Sequence, residues 1–199
     1  MFLLIDNYDS FTYNVVHLLG DNGIHIGKNL TIKRNDDISI KDAMAIGNEA
    51  MIISPGPATP KTAGISIPLI KSCIAAKRPV FGICLGLQAM VEAFGGHIAT
   101  YQPPRHGKIS DINCDNDSWL FKNIPQKFSA TRYHSLAITT LPSDLLAIAT
   151  SCDDKQIMAI QHKHLPMAAV QFHPESYYCQ YGKAIIKNFL TFILKNSMA

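Results

Sequence analysis

The chain has no C-x-x-C pair among its five cysteines, at positions 73, 84, 114, 152 and 179. That absence excludes the common zinc and dithiol-redox spacings, and no metal site is expected. Their odd number and irregular spacing argue against a disulfide scaffold and for a reducing, cytoplasmic setting. No run of Lys or Arg exceeds two residues, so the net charge of +3 is not gathered into the stripe that a nucleic-acid surface requires. No apolar run approaches the ~20 residues of a membrane-spanning helix. The first residues carry no basic segment and are interrupted by Asp6 and Asp9, so a secretory signal is not expected. Repeats, low-complexity tracts and linkers are also missing. What is present, 199 residues of which 47% are hydrophobic, is enough for one domain over 1–199 with a sizeable core.

The apolar pattern alternates in type along the first half. Met1 to Ile5 is a continuous apolar run, the mark of a strand buried on both faces. Asp6 to Ser10 are turn and capping residues, and Asp9 or Ser10 is expected to start a helix that runs to about Leu19. A strand over 30–33, a helix over 40–46, a strand over 51–53, a helix over 64–76 and a strand over 80–83 follow. This order predicts an α/β fold, a doubly wound and mainly parallel central sheet flanked by helices. After Gly95 and Gly96 the segments 97–100, 107–113, 128–132, 136–140 and 145–149 are short and rich in β-formers, predicting a small additional antiparallel layer. Segments 156–161 and 168–172 read as a closing pair of strands. A helix over 182–194 turns Ile185, Ile186, Phe189, Leu190 and Ile193 inward. Ligands of such sheets bind at the carboxyl ends of the parallel strands, and Asp6, Ser54 and Cys84 all follow strand ends.

Cys84 stands in Gly82-Ile83-Cys84-Leu85-Gly86, the cysteine form of a nucleophile elbow between a strand and a helix. The glycines are expected both to supply backbone angles that a Cβ forbids and to allow close packing. The turn would aim the Leu85 amide at an oxyanion, and the helix N-terminus would favour the thiolate. A buried cysteine in a glycine-rich turn is the plainer alternative. Further along, the strand ending at Phe172 runs into His173-Pro174-Glu175-Ser176. In an extended segment residues i and i+2 point to the same side, so Glu175 can hold one ring nitrogen of His173 and leave the other to take a thiol proton. Cys84, His173 and Glu175 then read as a Cys-His-Glu triad, against a capping histidine beside an exposed Glu. His134-Ser135 reads as a site-lining loop or a plain turn. His162 and His164 have strand metal-pair spacing but no third ligand nearby. The other four cysteines read as packing residues or surface thiols.

Together these residues resemble the class I, triad-type glutamine amidotransferases. Within that family they are similar to the small subunits of the chorismate-using enzymes, anthranilate synthase and aminodeoxychorismate synthase. The resemblance spans essentially the whole chain. It rests on residues 4–11, 53–57, 82–86 with Gln88, 106–108, 131–136 and 171–176. It implies that Cys84 attacks the glutamine side-chain amide, with His173 as base and acid and Glu175 orienting it. It further implies an oxyanion site at the amides of Leu85 and Ala58, and a glutamine pocket of Gly56, Pro57, Gln88, Ser135 and Leu136. Ammonia would pass to a chorismate-binding large subunit, making anthranilate or 4-amino-4-deoxychorismate, with His106, Gly107 and Lys108 facing that partner. No cofactor is implied in this subunit; magnesium belongs to the large one. Three positions depart from the usual pattern. Ala58 stands where anthranilate-type subunits often carry Gly, and a positive φ there would be costly. Leu87 replaces the usual His, predicting an effect on pocket or helix packing. Tyr177-Tyr178-Cys179 replaces an aliphatic-plus-Thr pattern and bears on partner contacts. A free-standing γ-glutamyl cysteine hydrolase and a silent binding subunit are the rival readings.

Overall fold

In the first strand, β1 (Phe2–Asp6), Leu3 and Ile5 enter one core while Leu4 enters another, and all three are fully buried. That period-two division is repeated in β3 (Ala50–Ile53), where Ile52 joins Leu4 and Met51 and Ile53 join Leu3 and Ile5. A strand with apolar side chains on both faces needs a covering layer on each. Helices α1 (Thr12–Gly20) and α5 (Gly182–Asn196) cover the Leu4 face with Val15, Leu19, Ile185 and Phe189. Helices α3 (Ser66–Ala75) and α4 (Leu85–Ala93) cover the Leu3 face with Leu69, Ile70, Leu87 and Met90. A shorter helix, α2 (Ile40–Ile46), is capped by the Ser39 side chain and buries Ala43 on that face. This computed structural model describes residues 1–196; residues 197–199, part of the expected single domain, lie outside it.

The remaining strands are β2 (Leu30–Arg34), β4 (Val80–Ile83), β5 (His97–Cys114), β6 (Lys127–Thr140), β7 (Leu145–Ser151), β8 (Ile157–His162) and β9 (Met167–Val170). They join one nine-stranded sheet in the order β2-β1-β3-β4-β9-β8-β7-β5-β6. The first five strands in that order are parallel, as the strand–helix alternation predicts. The antiparallel strands expected from the second half continue the same sheet through β8. Among the described residues no helix is long and apolar enough to cross a membrane.

Two breaks expected from the sequence are not there. Segments 97–100 and 107–113 form the single strand β5, and 128–132 and 136–140 form the single strand β6. Pairing jumps from Thr100–Leu136 to Arg105–His134, so Pro103 and Pro104 sit in a bulge and need donate no ladder hydrogen bond. The start of α1 also differs: Phe11 occupies the N-cap, while Asp9 accepts from the Phe11 amide instead of capping the helix. All five inward residues expected of α5 are buried. Phe189 has its ring centroid 5.2 Å from that of Phe81 and is fully enclosed. Phe189→Ala therefore lowers stability by about 3–5 kcal/mol, read as a shifted urea midpoint with an unchanged slope.

Candidate active site

Strands β4 and β9 pair in parallel with Ile83 opposite Val170, and the Cys84 amide continues that ladder by donating to the Val170 carbonyl at 2.8 Å. The next residues of the two strands, Cys84 and Gln171, therefore emerge side by side, with His173 two residues on. Cys84 has φ 52° and ψ −99° as it enters α4, a conformation costing about 1–3 kcal/mol for a residue with a Cβ. The expectation that Gly82 and Gly86 supply the unusual angles is thus corrected, since the nucleophile carries the positive φ itself. Close packing is what the glycines provide. A Cβ on Gly82 would lie 2.6 Å from the Gly86 backbone, and one on Gly86 would lie 2.4 Å from the Ile53 carbonyl oxygen.

His173 is buried, and its Nδ1 lies 2.6 Å from Glu175 Oε1. The expected contact is made, but not along an extended segment: β9 ends at Val170, before the expected Phe172, and Pro174 and Glu175 lie in a turn closed by the Ser176 amide donating to the His173 carbonyl at 3.2 Å. Its Nε2 has no aligned hydrogen-bond partner among the described residues. Burial works against charge on His173, but Cys84 and Glu175 outweigh it and hold the imidazole pKa well above its ordinary value. The segment is anchored from two sides. The His173 amide donates to the Thr131 carbonyl at 3.0 Å, and the Thr131 and Ser176 hydroxyls are 2.8 Å apart. Gly182, at the start of α5, abuts the Pro174 backbone so closely that any side chain there would displace it.

A cavity of ≈ 140 Å³ opens above Cys84 and is lined by Gly56, Pro57, Ala58, Gln88, Ser135 and Leu136, together with His106, Tyr133 and His134. A larger cavity of ≈ 580 Å³ lies at the opposite end of the parallel strands, between Phe2, Arg78, Pro79 and Ile193. Among the described residues no nucleophile and base meet there, whereas at the smaller cavity Cys84 meets His173. Its 54–58 wall is tied down by Asn7, whose backbone amide and side-chain Nδ2 each donate to Ser54 at 2.9 Å. Ala58 adopts φ 62°, the costly left-handed conformation, and its amide has no acceptor among the described residues. The Leu85 amide lies in the first turn of α4, where helical amides have no intrahelical acceptor.

The opposite wall is fixed by a buried charge. Arg132 is fully enclosed; its Nη2 lies 2.8 Å from Asp154 Oδ2 and its Nη1 3.2 Å from Asp153 Oδ1. Burial opposes the Asp154 charge, but contacts from Arg132, Ser151 and Tyr101 outweigh it and hold the carboxyl well below the usual range. Arg132 Nε donates to His134 Nε2 at 3.0 Å. That leaves Nδ1 protonated to donate to the Leu136 carbonyl at 2.8 Å, which holds the Ser135–Leu136 backbone against the cavity. Burial, aided by the Arg132 charge and opposed by the Leu136 carbonyl, pushes the His134 pKa down to about 4.

The structure thus brings Cys84, His173 and Glu175 together and gathers every residue expected around glutamine. His106 also lines the cavity, while Gly107 has φ 63° in a bulge and Lys108 pairs with Arg132 across the ribbon. The His134-Ser135 segment lines the site as one reading held, but within strand β6 and not as a loop or turn. Leu87 is fully buried against the α3 side of the core, so its effect falls on helix packing. His162 accepts from the amides of His164 and Leu165 through Nδ1, so its ring serves the β8–β9 turn. Cys73, Cys114 and Cys179 are buried, with burial pushing their thiols up to about 12, 11 and 12.

Three contributors escaped the sequence reading. Tyr133 sets its ring edge-on to His173 with centroids 5.1 Å apart. Burial raises the Asp9 carboxyl pKa, and the charges of His173 and Glu175 also act on it. Gln171 donates from Nε2 to Cys84 Sγ at 3.4 Å. All three lie in stretches that carry the resemblance, 4–11, 131–136 and 171–176, but nothing within those stretches marked their contacts with the triad.

A profile described as "Glutamine amidotransferase class-I" matches residues 3–192. The chain is 45% identical over 192 residues to an anthranilate synthase component 2 of Azospirillum brasilense, covering 96% of this chain and 95% of that one. It is 43% identical to the aminodeoxychorismate/anthranilate synthase component 2 of Bacillus subtilis over the full length of both. Among solved structures, a Thermoplasma acidophilum protein assigned to GMP synthase superposes with a TM-score of 0.83 at 23% identity, covering 100% of this chain and 96% of that one, which supports the fold alone.

Two outcomes follow from this geometry. Below pH 6.5 the unfolded chain takes up a proton at His134 that the folded chain refuses down to about pH 4. Stability from this site is fully present above about pH 6.5 and falls by about 3 kcal/mol as pH drops through 4. His134→Gln flattens that part of the slope in urea midpoints taken from pH 4 to 7. Ala58→Gly, which relieves the positive φ at some cost in unfolded-chain entropy, raises stability by about 0.5–1 kcal/mol in the same assay.

Proposed function

The chain belongs to the class-I glutamine amidotransferase family, and from that membership we propose that it is the glutaminase subunit of a chorismate-aminating enzyme. The observation that carries the reading is the convergence of the Cys84 thiol, the His173 ring and the Glu175 carboxylate at one sheet edge beside a cavity. Cys84 sulfur attacks the side-chain carbonyl carbon of glutamine, and the amides of Leu85 and Ala58 donate to the developing oxyanion. His173 holds the thiol proton and delivers it to the departing nitrogen, so that ammonia leaves and a γ-glutamyl thioester remains. Glu175 keeps the ring oriented and stabilises its charged form. Water, deprotonated by His173, then cleaves the thioester to give glutamate and restore Cys84. Gln88, Ser135 and Leu136 fix the substrate, and the steps call on side chains, amides and water, with no cofactor in this chain. The cytoplasm suits five unpaired thiols.

Ammonia released into water near neutral pH becomes ammonium, which has no lone pair to attack with, so productive transfer needs a partner at the mouth of the site. Tyr8, Phe11, Tyr133, Tyr177 and Tyr178 are exposed on the segments that carry the site. Exposed aromatics of this kind mark interfaces, and with His106, Gly107 and Lys108 they form the face offered to a chorismate-binding large subunit. Both relatives described above are component 2 proteins, which supports such a partner. In the main reading the assembly makes anthranilate, as the name of the Azospirillum brasilense relative supports; the double name of the Bacillus subtilis relative favours a second reading in which this chain serves 4-amino-4-deoxychorismate synthesis as well.

The test is glutamate release from glutamine, with chorismate present, alone and with each of the two kinds of large subunit. Wild type releases glutamate faster with a matching large subunit, and Cys84→Ser loses at least about a thousandfold while ammonia-driven product formation persists. Equal release with and without either large subunit would instead favour a free-standing hydrolase.

A further inference from the structure

Gln171 is 1% exposed and sits between β9 and His173, opposite Cys84 in the parallel register. Its Nε2 donates to Cys84 Sγ at 3.4 Å, and its Oε1 accepts from Gln88 Nε2 at 3.3 Å. With Gln88 as donor, the Gln171 amide turns its oxygen toward Gln88 and its nitrogen toward the sulfur, an assignment made from this chain of contacts. Gln88 lines the cavity, so the contacts run from the substrate wall to the nucleophile. We propose that Gln171 is a further catalytic residue, whose side-chain amide holds the Cys84 sulfur as an aimed anion through a hydrogen bond independent of His173.

The inference rests on the glutaminase reading for its meaning in turnover. Its physical content, a donor to the thiolate, does not depend on the substrate. A hydrogen bond to a charged acceptor is among the stronger ones in proteins, and it favours the charged form of the group it serves. No proton changes hands along it, so the base remains His173. The ionisable groups around the sulfur are His173 with Glu175 behind it, Asp9 from the loop after β1, and His106, Tyr133 and His134 on the β5–β6 wall, where the Tyr133 carbonyl also lies 4.0 Å from the sulfur. Each of these is unchanged in a Gln171 variant, which makes the side chain separable from them.

The experiment measures the rate of Cys84 alkylation by iodoacetamide against pH, followed by peptide mass mapping in a Cys152→Ser background. Cys152 is the one half-exposed thiol; Cys73, Cys84, Cys114 and Cys179 are buried. Gln171→Leu and the unbranched Gln171→Met are compared with the parent, and kcat and KM for glutamine are taken in parallel. The expected result is an alkylation midpoint about one pH unit higher in both variants, with kcat down about tenfold or more and KM changed less. Gln171→Glu, which sets a carboxylate against the sulfur, moves the midpoint further in the same direction. Superimposable alkylation profiles for parent, Leu and Met variants overturn the proposal, whether or not turnover falls. If the parent shows no glutaminase activity at all, the functional reading fails while the alkylation profiles still decide the role of Gln171.

Discussion

The parallel hydrogen bonding of β4 to β9 is the constraint on which the site depends. The two strands come from distant parts of the chain, and only their pairing with Ile83 opposite Val170 sets the elbow cysteine beside the H-P-E segment. A slip of one residue would turn Cys84 toward the opposite face from His173, because side chains alternate along each strand. The register is held by burial on both faces: Phe81, Ile83, Ala168 and Val170 enter one core while Val80, Met167 and Ala169 enter the other. Catalytic geometry here is a consequence of core packing.

Strain and charge are then placed where that frame can support them. Cys84 and Ala58, which line the same small cavity, both adopt positive φ, and both present an amide or a sulfur that an extended backbone would turn away. Arg132 is a buried cation whose hydrogen bond sets the tautomer of His134, which in turn holds the strand that faces the substrate. Removing one partner of such a pair leaves an uncompensated charge, so the wall of the pocket is coupled to the β7–β8 hairpin that carries Asp153 and Asp154.

The triad was legible in the sequence because its signals are local. Two glycines frame Cys84, and His173 and Glu175 are two residues apart, although a turn and not the expected extended segment brings their side chains together. The parallel half of the sheet was legible for a similar reason, since Met1 to Ile5 and the strand–helix alternation state it directly. What escaped depends on tertiary register or on burial. Gln171 and Tyr133 contribute only because β9 and β6 bring them against Cys84 and His173. The short segments 97–100 and 107–113 were read as separate strands, yet a bulge absorbs Pro103 and Pro104 without ending β5. The glycines of the elbow suggested unusual backbone angles, whereas the structure assigns those angles to Cys84 and uses the glycines for contact between backbones.

Turnover depends on Cys84 as the nucleophile, with His173 acting on it. The most direct measurement is mass spectrometry of the cysteine peptides after mixing with glutamine and quenching in acid on the millisecond-to-second scale. A γ-glutamyl adduct is expected on the Cys84 peptide alone, formed by wild type and lost in Cys84→Ser and in His173→Gln. An adduct on another cysteine, or full turnover by Cys84→Ser, would contradict it.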